Sequence, residues 1–298
     1  LLEIRKYAAI DIGSNAIRLL ISNVIIKSDK DPQFKKSSLV RVPIRLGADS
    51  FVKGVISDNN VNRMINAIEA FKLLMEVHNV EKYKACATSA MREAKNGNDV
   101  VEKIFVETGV KIDIINGKEE AAIISSTDLN QLIQGDNSYL YVDVGGGSTE
   151  FTLFSKGRIL TSKSFKMGTV RLLNNKKSVN KEIFANVEKW IKKNTKGLKN
   201  VALIGSGGNI NKLFKMSGRT EGKPISLIYL NAQYQFLKQM SYQERISELS
   251  LNPDRADVII PATKIYLSAM KWSGARKIYV PKIGLSDGII KSLFYNKL

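Results

Sequence analysis

Apolar and polar residues along the chain alternate in two registers, and the register changes mark the elements. "KYAAIDIG" and "AIRLLISNVI" are strand-like runs joined by a short Gly-Ser-Asn turn, and "SLVRVPIRLG" predicts a third strand. Asp58 is placed to cap a helix whose apolar positions Val61, Met64, Ile65, Ile68 and Met75 keep helical spacing. The strand "YKACAT", a short helix at "SAMREA", a helix through "DVVEKIFVETG", the strand "VKIDIIN" and a helix from Lys118 to about Ile133 follow. The predicted order βββαβαβα is that of a mixed α/β domain.

The pattern then restarts. "YLYVDVG", "TEFTLFSKG" and "RILTSKSFKM" predict three more strands, with Lys156-Gly157 as a hairpin turn. Helix and strand alternate afterwards through "KEIFANVEKWIKK", "NVALIG", "GNINKLFKM", one long helix over "DRADVIIPATKIYLSAMKW", "RKIYV" and a last helix after Leu285. The repeat divides the chain into 1–132 and 133–298, with "IQGDNS" as the hinge and the final helix free to pack back on the first half. Each half opens with a hairpin whose turn carries an aspartate and small residues, Asp11 in "AIDIGSN" and Asp143 in "VDVGGGST". The fold class expected is α/β, two halves with mixed sheets flanked by helices, and the cleft between such halves is the default ligand site.

Composition narrows the chemistry. A chain of 298 residues that is 44% hydrophobic and 25% charged can fill two ordinary cores. No apolar run approaches the roughly 20 residues that span a bilayer, and the opening segment lacks a signal-peptide pattern, so a cytoplasmic protein is expected. One cysteine, Cys86, and one histidine, His78, exclude a disulfide framework and a Cys/His zinc site, so that any metal held would be oxygen-ligated. The net charge of +18 is uneven: residues 1–125 hold 19 Lys and Arg against 16 acids, whereas 126–298 hold 27 against 12. A basic half of this kind draws in a polyanion, and charge alone does not choose among nucleic acid, anionic membrane and polyphosphate.

A Gly-Ser turn between strands offers backbone N–H groups to an anion, and an aspartate ending the preceding strand can hold a cation that bridges to it. One such turn is also an ordinary structural hairpin. Two in matching places indicate a grip on a phosphate–metal unit.

"AAIDIGSNAIRLL", "ATSAMREAKNG", "INGKEEA", "VDVGGGSTEF", "MGTVRL" and "GSGGNINKL" occur in that order over nearly the whole chain. Together they resemble the exopolyphosphatase/guanosine pentaphosphate phosphohydrolase (Ppx/GppA) family of the actin, sugar kinase and heat-shock ATPase superfamily, in the short form that lacks a C-terminal HD-type domain. The resemblance implies duplicated actin-like (ribonuclease H-like) domains and a phosphohydrolase that removes terminal phosphate from a phosphoanhydride chain. It implies Glu120 as the base that orients and deprotonates water, with Asp143 and Glu150 as the acids for magnesium and the attacking water, and Asp11 as the equivalent acid of the first turn. Gly145, Gly146, Gly147 and Ser148, with Ser14 and Asn15 of the first turn, are expected to face phosphate. Arg92 matches a family arginine for phosphate oxygens, and Arg171 divides evenly between that role and a structural one. Gly207 and Gly208 either bind further phosphates or pack helix on strand. Glu119 reads as a helix-start acid. Asn116, where the family has serine, and Ser286, where it has arginine, depart from the pattern.

The cofactor implied is Mg²⁺ or Mn²⁺. The partners implied are inorganic polyphosphate, or guanosine penta- or tetraphosphate as the close alternative; membrane and nucleic acid are disfavoured, and a homodimer stays open. Two readings of other classes remain beside it. A sugar- or acetate-kinase-like phosphotransferase shares both aspartate turns, and a non-catalytic polyphosphate or alarmone binder shares the basic half.

Overall fold

The computed structural model describes residues 2–125, 127, 133 and 137–297. The predicted hinge at 133–138, the boundary at 132/133 and the end of the helix from Lys118 lie largely outside these residues. The chain forms two compact units, Leu1–Thr127 with Leu285–Leu298, and Asp128–Gly284.

The first unit is built on β1 (Leu2–Ile12), β2 (Ile17–Lys27), β3 (Lys30–Val42), β4 (Lys82–Ala87) and β5 (Ile112–Ile114), in sheet order β3-β2-β1-β4-β5. β1–β2 and β2–β3 are antiparallel, and β1–β4 and β4–β5 are parallel. The apolar alternation is the cause. Ala8, Ile10 and Ile12 with Ile17, Leu19 and Ile21 are buried on one face, against Met64, Ile68, Phe71 and Met75 of a helix. The helices are α1 (Leu46–Lys53), α2 (Asp58–Val77), α3 (Ser89–Glu93), α4 (Gly97–Thr108) and α5 (Gly117–Ser125).

α1 was not predicted. Pro43, which has no N–H to continue a ladder, follows the end of β3, and Arg45 in the left-handed region (φ 61°) turns the chain into α1. Asp58 is the first residue of α2 and not its cap; Ser57 holds the cap position, and its amide and hydroxyl bond the buried Asp49.

The second unit repeats the plan with β6 (Ser138–Val144), β7 (Thr149–Ser155), β8 (Arg158–Phe165), β9 (Val201–Ser206), β10 (Ile225–Ser226) and β11 (Lys277–Tyr279), in order β10-β11-β9-β6-β7-β8. The β7–β8 turn is the predicted Lys156-Gly157, both with positive φ, as a type I′ hairpin requires. Its helices are α6 (Thr169–Asn174), α7 (Lys177–Thr195), α8 (Gly208–Met216), α9 (Leu227–Gln239), α10 (Tyr242–Ser247), α11 (Pro253–Ala256) and α12 (Ile259–Ser273). The core joins Leu140, Val142 and Phe151 to Val187, Ile191, Ile265 and Met270.

The predicted long helix over 254–272 is two helices, α11 and α12. α9 and α10 were missed, although Ser241 and Glu244 form a capping box, which is a sequence-level signal. α13 (Leu285–Phe294) packs on β1, β4 and α5 of the first unit. Gly288 makes that close packing possible, since a Cβ there would overlap the Ile123 carbonyl. Two mixed sheets with flanking helices, the second repeating the strand order of the first (β8-β7-β6-β9-β11 for β3-β2-β1-β4-β5) with β10 added at its edge, agree with the duplicated actin-like fold that the resemblance implied.

Candidate active site

The two turns close in the same way. Gly13 N–H donates to Ala16 O at 3.1 Å, and Gly145 N–H donates to Ser148 O at 3.0 Å. Each glycine stands two residues after its aspartate. The residues opposite the aspartates differ. Asp11 pairs in register with Arg18, whose Nη1 lies 3.2 Å from Asp11 Oδ2. Asp143 pairs in register with Glu150. Residues directly opposite on antiparallel strands share a face, so the first turn carries a self-neutralising ion pair and the second a pair of acids.

In the first unit, Ser14 and Asn15 are anchored by the chain after β3. Gly47 N–H donates to Ser14 O at 2.7 Å and Arg45 N–H to Asn15 O at 3.0 Å. The Ser14 hydroxyl shares a 2.9 Å hydrogen bond with Ser89 of α3. That helix also carries Arg92, which donates through Nη1 to the Ile115 carbonyl at 2.6 Å, just ahead of α5. α5 begins with a capping box. Asn116 N–H donates to Glu119 Oε2 at 2.7 Å, and the Lys118 and Glu119 amides donate to Asn116 Oδ1 at 2.9 and 3.0 Å. Glu119 thus works for the helix, as expected of a helix-start acid, and Asn116 caps it. Glu120 follows, buried at 9% exposure.

Burial raises the Asp11 carboxyl above its usual range, with Arg18 opposing. Burial likewise pushes the Cys86 thiol up to about 12, opposed by Lys84 and reinforced by the charges of Asp113, Asp11 and Glu120. Cys86 lies beside Asp11 in the β1–β4 ladder and feels both acids.

In the second unit, the glycine turn is held by backbone. Thr169 N–H donates to Gly145 O at 3.0 Å and Val170 N–H to Gly146 O at 2.9 Å. Arg171 Nε donates to Gly147 O at 2.9 Å, so one arm of Arg171 braces the turn. Gly168 is required here, because a Cβ would overlap the Gly146 and Gly147 backbone. The Thr149 hydroxyl donates to the Met167 carbonyl and ties the start of β7 to the same segment. Gly207 has φ 114°, a conformation that favours glycine. A Cβ there would meet Val144 O at 3.1 Å and Asp143 Oδ1 at 3.6 Å, which places the "GSGGN" loop beside Asp143. Beneath Asp143, Tyr141 and Tyr266 are fully buried. Burial, then the Asp143 charge, keeps both hydroxyls protonated far above the ordinary tyrosine range. The Tyr266 hydroxyl donates to the Ser206 carbonyl.

Within each unit the predicted residues therefore gather. Asp11, Ser14 and Asn15 sit at one turn in the first, with Arg92 bracing the approach to Glu120. Asp143, Gly145, Gly146, Gly147, Ser148, Glu150, Arg171, Gly207 and Gly208 surround one turn in the second. Three neighbours were not anticipated. Ser164 of β8 reaches Glu150 by register, Tyr266 comes from α12, and the Arg255 guanidinium lies 3.1–3.6 Å from a Cβ built on Gly208. Sequence spacing carries no signal for any of them.

Magnesium takes oxygen donors, keeps several waters, and is commonly held by one or two carboxylates together with substrate phosphates. Asp143 and Glu150 on one face fit such a partial shell. Among the described residues no group of three or more His, Cys, Asp or Glu gathers to form an all-protein cage, so the fit is to a hydrated ion shared with phosphate. No helix among the described residues is long and apolar enough to cross a membrane.

The model of the Ppx/GppA phosphatase family matches residues 25–297. A bifunctional 3-dehydroquinate synthase/phosphatase of Fusobacterium nucleatum is 31% identical over 92% of this chain, which spans only 44% of that protein. Exopolyphosphatase 2 of Mycobacterium tuberculosis is 25% identical over 98% of this chain and 99% of its own length. The crystal structure of an exopolyphosphatase from Cytophaga hutchinsonii superposes with a TM-score of 0.85 at 24% identity, covering 98% of each chain, and shares the fold. The match runs across both units and takes in "GKEEA", the glycine turn and the Arg171 segment: the chain belongs to the Ppx/GppA phosphatase family.

Proposed function

We propose that this protein is a phosphohydrolase that releases terminal orthophosphate from inorganic polyphosphate by attack of water, and that it acts in the cytoplasm. Family membership and exopolyphosphatases among its relatives support the reaction class. The observation that carries the site is the Asp143–Glu150 pair across the mouth of a glycine turn. Asp143 and Glu150 would hold a divalent cation beside the amides of the turn, and such an ion, when bound, would offset the negative charge of the phosphoryl oxygens.

The chain's own groups do the rest. Glu120 orients the attacking water and accepts its proton at the carboxylate. Gly145 to Gly147, Ser148, Ser14 and Asn15 bind phosphate oxygens, and Gly207 and Gly208 extend that binding beside Asp143. Arg92 and Arg171 each donate to backbone, at Ile115 O and Gly147 O, which holds in place a planar guanidinium of the kind that suits phosphate oxygens. Asp11, paired with Arg18, orders the first turn. A phosphate chain is a good leaving group, so positioning and charge stabilisation dominate.

The excess of basic residues from 126 onward suits a long anion better than a single nucleotide. Phosphate release should be measured in parallel on polyphosphate of several lengths, pppGpp and ATP, with Mg²⁺ or Mn²⁺. Turnover of long polyphosphate above the others supports this reading. Preference for pppGpp reassigns the substrate within the same chemistry, and ATP-dependent phosphorylation of a small acceptor without phosphate release overturns it.

A further inference from the structure

Glu150 is 3% exposed, and one of its oxygens, Oε1, accepts two hydroxyls. Ser148 Oγ donates at 2.6 Å from the glycine turn. Ser164 Oγ donates at 2.9 Å from β8. Ser164 arrives by register alone, directly opposite Glu150 in the β7–β8 ladder, and belongs to none of the motifs that identify the family.

The last torsion of a glutamate is broad and roughly two-fold, so a carboxylate held by one donor still turns. Two donors, one from the turn before β7 and one from the neighbouring strand β8, converge on one oxygen and select a single plane. Ser164 is itself solvent-exposed and could satisfy its hydroxyl with water, so the bond serves Glu150. We propose that Ser164 is a positioning residue of the phosphohydrolase reaction, fixing with Ser148 the plane of the Glu150 carboxylate so that it faces the cation shared with Asp143. The inference rests on the functional reading above for the role of that cation.

The same strand face provides an internal control. Ser162, two residues back, shares a 2.9 Å hydrogen bond with Thr152, which carries no charge. A purely structural hydroxyl ladder would make the two serines equivalent.

The test compares Ser164→Ala, Ser164→Thr and Ser162→Ala with the unaltered protein. Steady-state kinetics are taken over a titration of Mg²⁺, and binding of Mn²⁺ alone is followed by loss of the free-ion paramagnetic resonance signal. Removing a group that orients a metal-binding carboxylate typically costs about 10- to 100-fold in metal affinity or activity. Ser164→Ala is expected to raise the metal concentration for half-maximal rate and weaken Mn²⁺ binding by about tenfold, with KM for polyphosphate at saturating metal nearly unchanged. Ser164→Thr, which restores a hydroxyl on a residue suited to strands, recovers most of both, and Ser162→Ala changes neither. Equal effects of the two alanine variants, or normal Mn²⁺ binding by Ser164→Ala, overturn the proposal. If the unaltered protein releases no phosphate from any substrate, the functional reading fails, and the Mn²⁺ comparison still decides whether Ser164 orients Glu150.

Discussion

Asp143 and Glu150 stand directly opposite each other at the ends of β6 and β7, in the position where the first unit pairs Asp11 with Arg18. The two copies of one turn have thus diverged from an ion pair to a pair of like charges. Like charges directly opposite each other on paired strands are unfavourable, so the second turn is the one suited to hold a cation. Asp143→Asn and Glu150→Gln are each expected to raise the Mg²⁺ requirement or abolish turnover. Full activity of the unaltered protein in excess chelator would show that this acid pair serves another purpose.

Glu120→Gln keeps shape and burial but removes the proton acceptor. Turnover should fall by about 100- to 10,000-fold, the range for general acid–base groups, while polyphosphate still binds in an equilibrium assay. A rate within a few-fold of normal would take Glu120 out of the chemistry.

At Gly168 the backbone of the glycine turn occupies the place of a side chain. Gly168→Ala should cost about 1–3 kcal/mol, as overpacking does, and should lower activity by displacing Gly146 and Gly147. Denaturant unfolding reads the first effect and phosphate release the second. A variant with normal stability would mean that α6 does not lie this close to the turn.

The Asp11 carboxyl is raised by burial, so between its unfolded and folded values the native state holds more protons than the unfolded state. Its contribution is therefore lost as pH rises through the folded value. Asp11→Asn should raise the melting temperature at neutral pH, with the gain shrinking as pH drops below the usual carboxylate range, about 4. Activity should fall at the same time. A gain that grows towards acid pH has the wrong sign and would refute this account.

The basic excess is tested on α7. Lys192 is engaged, its Nζ 2.6 Å from Glu188 Oε1, whereas Lys193 and Lys196 are exposed near the helix end. If they draw in the chain, neutralising both should weaken apparent affinity for long polyphosphate more than for triphosphate. The difference should vanish at high salt, where exposed charges are screened within about 10 Å or less. Equal losses on short and long substrates would leave α7 as a solvated surface.

What the sequence by itself determined is what neighbouring residues decide. Two strand–turn–strand units, the aspartate and glycines in each turn, the I′ hairpin at Lys156-Gly157 and the unequal charge all follow from residues a few positions apart, where pleat and helix periods and glycine's freedom act directly. The order of six such motifs was enough to reach the family.

The misses came where a local pattern was weak or continuous across a break. Arg45 adopts a left-handed backbone without being glycine, which hid α1, and the apolar spacing of "DRADVIIPATK" reads straight through the break between α11 and α12. Only the tertiary structure decided that Arg18 faces Asp11 while Glu150 faces Asp143. It alone set Arg92 on the Ile115 carbonyl, and Ser164 on a glutamate fourteen residues away. The facing pairs and the Ser164 contact depend on strand register, and a shift of one residue turns every side chain to the opposite face. Register is settled by burying a whole sheet face at once, a property of the packed core that no short stretch of sequence contains.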